Sequence, residues 1–185
     1  PNVASPQADT ALLRRSRGAD EELSAPYARA IDASSRLRWD IELDVLDGRS
    51  FDFAHTFMPD ALARIDAFAG LSHGERRLIS QIQARTYAYV VGLFDRCIGV
   101  KMLQLSSRHW YGDPVAREAL VRCADGARKH QKLFRRVRSM IAADMPPGYG
   151  TSADPNDFAR TALSRSTWAV LALATVVAQM SQAHW

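Results

Sequence analysis

The chain has 185 residues, of which 47% are hydrophobic, enough for one domain with a real core and too apolar for a disordered chain. A formal net charge of +4 and a pI near 9.4 make it mildly basic, which bears on solubility before it bears on anionic partners. Cys97 and Cys123 form neither a metal-spaced motif nor a disulfide framework, which fits a reducing compartment. Residues 1–20 are polar, with Arg14, Arg15 and Arg17 and no apolar run, so they read as a flexible tail and not as a signal peptide.

Helical text follows from Ala25 to Leu46 and stops at Asp47-Gly48. From Arg49 to Pro59, Phe51, Phe53, His55 and Phe57 alternate with polar residues. That alternation suits a short strand, but the preferred reading is an extended arm laid over a helical core. A short helix is expected from Asp60 to Phe68, ending at Gly70. Together residues 21–70 form an N-terminal region of helix, arm and short helix. Residues 71–185 form the bundle core.

Ser72 and Glu75 make a Ser-x-x-Glu capping box, which starts a long helix running to Ser107. Asp113 is the expected N-cap of the next helix and Pro114 its first residue. This second long helix reaches Ala143 and carries a seam of Ala116, Leu120, Cys123, Ala127, His130, Phe134, Val137 and Ile141. Steps alternating between three and four mark a helix packed against near-antiparallel neighbours. A loop at 145–155 precedes one last helix from Asn156 to the end, apolar almost all round near Val170–Val177 and therefore expected at the centre of something. The apolar run Trp168–Met180 is too short to span a bilayer. The cytoplasm is the default location.

The first long helix has a matching seam: Gln81, Ala84, Ala88, Val91, Asp95, Ile98, Met102 and Leu105. Asp95 is thus a carboxylate in an apolar stripe. If the two helices fold back near residue 111, position 95 lies level with about position 127, less than a turn from His130. A buried-facing acid and a buried-facing histidine are then expected in one layer. Lone buried charges pair, bind metal or titrate to neutral. Asp95 and His130 are either a polar pair fixing register or metal ligands.

The stretches Leu78–Leu105, Ala119–Arg136 and Ser166–Leu173, above all Lys129-His130-Gln131 followed by Leu133-Phe134, resemble bacterial ferritin-like di-iron carboxylate proteins. The resemblance implies an all-α, ferritin-like antiparallel helical bundle with an N-terminal helix and extended arm. In intact members it implies an oxygen- or peroxide-reactive iron pair, held by a glutamate or a Glu-x-x-His on each helix. Here Asp95 falls on the first glutamate, one methylene short. Ala127 falls on the glutamate of the Glu-x-x-His, leaving His130, and Ala178 falls on the third-helix glutamate. No fourth ligand-bearing helix is read before Trp185. Asp95 and His130 are therefore read as a vestigial metal pair, and no catalytic or cofactor-binding residue is assigned. Two such ligands cannot fix two irons.

On the second long helix, Arg117, Arg122, Arg128, Lys129, Lys132, Arg135, Arg136 and Arg138 form a basic face. Without interleaved aromatics, and interrupted by Glu118 and Asp125, it reads as a solvated face and not as a nucleic-acid stripe. His109, Trp110 and Tyr111 are expected to cover the bundle end. The functional expectation is a non-catalytic bundle acting as a structural or protein-interaction subunit. Self-association or a protein partner would cover the last helix. The alternative is an iron-binding, oxidase-type protein whose site another chain completes.

Overall fold

The computed structural model describes residues 22–36, 38–151 and 154–182. The tail expected over residues 1–20 lies outside them. The protein is all-α: the regular structure among the described residues is helical, with no strand. The helices are α1 (residues 22–36), α2 (Asp60–Ala63), α3 (His73–Ser106), α4 (Pro114–Asp144), α5 (Pro155–Ser164) and α6 (Thr167–Gln182). Two compact units divide them. One holds the chain up to Arg38 with Met102–Cys123; the other holds Trp39–Lys101 with the chain from Ala124 onward.

In the first unit Asp113 caps α4, its Oδ1 accepting the N–H groups of Val115 and Ala116 while Ser24 donates its hydroxyl to Oδ2 at 2.7 Å. The Ser24 hydroxyl, then the two amides, hold this carboxyl below its ordinary pKa. Arg122 pairs with Glu118 at 2.7 Å and donates to the Ser35 hydroxyl at 2.6 Å, which fastens the end of α1 to α4. Ala116 and Ala119 are buried.

In the second unit the capping box forms as expected. Ser72 N–H reaches Glu75 Oε2 at 2.8 Å, and Glu75 N–H reaches Ser72 Oγ at 3.3 Å. From there α3 runs 34 residues without a break. Its buried positions include Gln81, Ala84, Ala88, Ile98 and Met102, five members of the expected seam. Facing pairs fall on one helix as they rise on the other: a Cβ on Gly99 would stand 3.7 Å from Ala127, one on Gly92 would stand 3.6 Å from Phe134, and Arg138 lies over Tyr89. These segments of α3 and α4 are therefore antiparallel, as expected, but the register is about one turn from the hairpin arithmetic: Ala127 faces Gly99, not Asp95, and Asp95 lies level with about residue 131.

The arm at 49–59 is indeed laid over α3 and is not a strand. Phe51 and Phe53 close on Phe57 with ring centroids 4.8 and 4.9 Å apart. Buried Ser80 accepts the N–H groups of Phe57 and Met58 on its hydroxyl oxygen. Gln81, 4% exposed, donates to the carbonyls of Phe53 and His55. Two buried polar residues of α3 thus serve backbone groups that leave regular structure, the requirement for burying a loop.

Three expected boundaries change. The helix predicted from Ala25 to Leu46 is interrupted: α1 ends at residue 36, and residues Ile41–Leu46 form a separate π-helical turn. Asp40 causes the restart by accepting the N–H groups of Glu42 and Leu43, the same bonds that lower its carboxyl pKa. The turn ends where expected, with Asp47 and Gly48 at positive φ. The helix predicted from Asp60 to Phe68 is four residues long, because Arg64 takes a left-handed conformation before a 3₁₀ turn at Ile65–Ala67.

The single last helix is two helices, α5 and α6, bent by 117° at Arg165-Ser166. Arg165 is extended, Ser166 Oγ accepts the N–H of Ala169, and Lys101 reaches the Leu163 carbonyl at the C-terminal end of α5. No single helix among the described residues is long and apolar enough to cross a membrane.

Candidate functional site

The expected juxtaposition of Asp95 and His130 occurs. Asp95 lies on α3 four residues before Gly99, a contact point with α4, and its Oδ2 stands 3.9 Å from His130 Nδ1. The distance is beyond a hydrogen bond, and Oδ2 is buried with no hydrogen-bond partner. Burial alone pushes the Asp95 pKa from 3.8 up to about 6. His130 moves down from its ordinary value, chiefly through desolvation and secondarily through Lys129. Both shifts favour the neutral form. Desolvation outweighs mutual attraction, so the pair is not a strong ion pair.

One part of the expectation is corrected. His130 is not buried-facing: 52% of its side chain is exposed, against 16% for Asp95. Its ring turns to Trp39, on which it stacks with centroids 5.8 Å apart and planes 21° apart. Lys129 holds the same indole, with its ammonium 4.1 Å from the ring centroid while donating to the Trp39 carbonyl. Reading the seam by spacing alone put His130 in the stripe. It did not anticipate an aromatic anchor arriving from before the π turn.

Asp95 and His130 do not fit a two-iron centre. No three His, Cys, Asp or Glu side chains among the described residues come together as a metal-binding group. Ala127, beside Gly99, supplies no donor, and Ala178 is exposed on α6. The free thiols take no part: Cys97 is buried, whereas Cys123 is exposed although the seam reading pointed it inward. Desolvation by the protein around each sulfur raises both thiol pKa values, the opposite of what a reactive thiolate needs.

The basic face of α4 is less uniform than its sequence. Arg136 pairs with Glu42 at 3.2 Å, Arg128 lies 3.8 Å from Asp125, and Arg138 sits over Tyr89. Aromatics absent from the α4 text are thus brought to its cations by other elements. In the first unit Arg117 lies over Trp110, 4.2 Å from its ring centroid. Trp110 and Tyr111 are 59% and 98% exposed, so they do not cover the bundle end as expected.

The last helix departs furthest from expectation. Only Val170 is fully buried among the described α6 side chains, whereas Trp168, Leu173 and Val176 are 79%, 53% and 49% exposed. No residue of α6 carries a charge.

No family model, curated protein or solved structure matches this chain.

Proposed function

We propose that this chain is a non-catalytic, ferritin-like helical bundle acting through protein contacts, with Asp95 and His130 as a vestige of a metal layer. The observation that carries the reading is the uncharged, solvent-facing side of α6, with Trp168 standing 79% exposed. Ala169, Leu173 and Val176 are all exposed and spaced by four and three, the pattern of a helix that packs along another helix. Such a face on a folded chain marks an interaction surface.

The occupant we assign is a second copy of the chain. A face without charge is its own complement, because a two-fold contact leaves no ion unpaired. Sedimentation velocity across a concentration series tests this. The expected result is a concentration-dependent dimer that Leu173→Glu with Val176→Glu converts to a folded monomer. A wild-type protein that stays monomeric throughout overturns the assignment.

One observation favours a second reading, a metal-binding protein whose site another chain completes: the partnerless Oδ2 of Asp95 beside His130. Metal analysis after anaerobic iron loading decides it. Stoichiometric iron lost in both Asp95→Ala and His130→Ala supports this reading. Absent iron, or iron indifferent to the two changes, removes it.

A further inference from the structure

Between the π turn and the middle of α4 lies a cleft of about 720 Å³. That is within the range of small-ligand sites, roughly 300–1,000 Å³. Its charged lining consists of Arg128, Lys129, Lys132, Arg135 and Arg136 against Asp40, Glu42 and Asp125. Counting charges alone, five cations face three carboxylates. The partners sharpen that difference.

Each carboxylate is already engaged. Asp40 accepts the amides of Glu42 and Leu43, Glu42 pairs with Arg136, and Asp125 lies nearest Arg128. Lys129 bonds to neutral groups, the Trp39 carbonyl and indole, and its charge is partly answered by Asp40, whose carboxyl it helps to hold below its ordinary pKa. Lys132 and Arg135 are exposed and have no acidic partner among the described residues. Lys129, Lys132 and Arg135 follow one another at steps of three along α4, so one side of the cleft carries three cations over less than two turns, two of them, Lys132 and Arg135, without an acid.

We propose that this cleft binds a small, multiply charged phosphate, with Lys132 and Arg135 as its principal contacts and Lys129 as a fixed charge at the wall. The arginine presents a planar fork suited to paired phosphate oxygens, and the lysines act as point charges. A single carboxylate ligand would leave most of this charge unanswered. A ligand with two adjacent phosphoryl groups carries enough charge to answer both Lys132 and Arg135. The cleft is built from Asp40–Glu42 on one side and α4 on the other, and neither Asp95, His130 nor any residue of α6 lines it.

The test is isothermal titration of the full chain with inorganic pyrophosphate, at low and at physiological salt. The expected result is saturable one-to-one binding that weakens as salt rises, as exposed charge pairs do. Lys132→Ala with Arg135→Ala should lower affinity by about tenfold or more, two charge-assisted contacts being removed. Arg117→Ala, which removes the same kind of charge from the same helix outside the cleft, should bind as the wild type does. Circular dichroism of each variant establishes that it is folded. Three results overturn the proposal: no saturable binding by the wild type, full affinity in the double variant, or an equal loss in Arg117→Ala. An oligothymidylate that binds more tightly than pyrophosphate at physiological salt also overturns it, by making the surface a nucleic-acid face.

Discussion

Replacing Asp95 with asparagine removes the buried charge and keeps the shape of the side chain. Burial lifts the Asp95 pKa from 3.8 to about 6, so the folded chain holds the proton more tightly than the unfolded chain does. The folded state is therefore favoured most below about pH 3.8, where both states are protonated. Stability falls as pH rises from there to about 6, and above that it stays lower by a constant amount. At about 1.4 kcal/mol per pH unit, this difference amounts to about 3 kcal/mol. With 16% of the side chain still reaching solvent, a range of about 1–3 kcal/mol follows. The depressed pKa of His130 acts in the other direction, removing stability as pH falls through 6.5, and it is common to both proteins. Urea unfolding followed by helical circular dichroism, with chelator present, is the assay. Asp95→Asn should be more stable than wild type by about 1–3 kcal/mol near pH 8, and the difference should close near pH 4. A difference that does not change with pH refutes the account of Asp95 as a charge penalised by burial.

Ser80→Ala leaves the Phe57 and Met58 amides without their shared acceptor, and stability should fall by about 2 kcal/mol, read as a lower urea midpoint at unchanged slope. Gly126→Ala lies inside α4 where an added Cβ meets nothing within 4 Å, so stability should rise by about 1 kcal/mol in the same assay. His130→Ala removes the ring stacked on Trp39 and should weaken pyrophosphate binding severalfold while leaving its salt dependence in place, as measured by titration calorimetry. If His130→Ala binds as the wild type does, Trp39 does not set the shape of the cleft.

The long helices were legible because their signals are local. Ser72 with Glu75 and Asp113 with Pro114 mark starts by chemistry confined to one turn, and each of those hydrogen bonds is present. The α3 seam was legible because 3.6-residue periodicity carries across most of a 34-residue helix. Breaks were harder to read. Asp40 and Ser166 are both N-capping residue types that restart a helix, but each sits in text that is helical on both sides, so periodicity overran it. At the site, the antiparallel hairpin was legible and brought Asp95 near His130, although the count missed the register by about one turn, since it took the midpoint of the connection as the point of reversal. The exposure of His130 was not legible, because it depends on Trp39, a residue 91 positions away in sequence with no periodic relation to α4. Likewise the apolar text of α6 fits a central helix and a solvent-facing one equally well; the bend at Arg165 goes with the second.

Trp39 gives His130 a reason to be histidine that needs no metal. Residues 129 and 130 are successive on α4 and so point about 100° apart around it. Between them they hold one indole, Lys129 by its ammonium and His130 by its ring. Two cations against the same indole would repel each other, so the grip is strongest with His130 neutral. Burial and the neighbouring Lys129 charge both favour that state. The Trp39 carbonyl is at the same time the acceptor for Lys129, and Asp40, the next residue, caps the π turn that walls the cleft. The chain of dependence therefore runs from His130 through Trp39 to the cleft, and Asp95, whose Oδ2 makes no hydrogen bond, is not a link in it. An asparagine at position 95 should leave pyrophosphate binding intact while changing stability with pH, which separates the two roles that proximity alone would have merged.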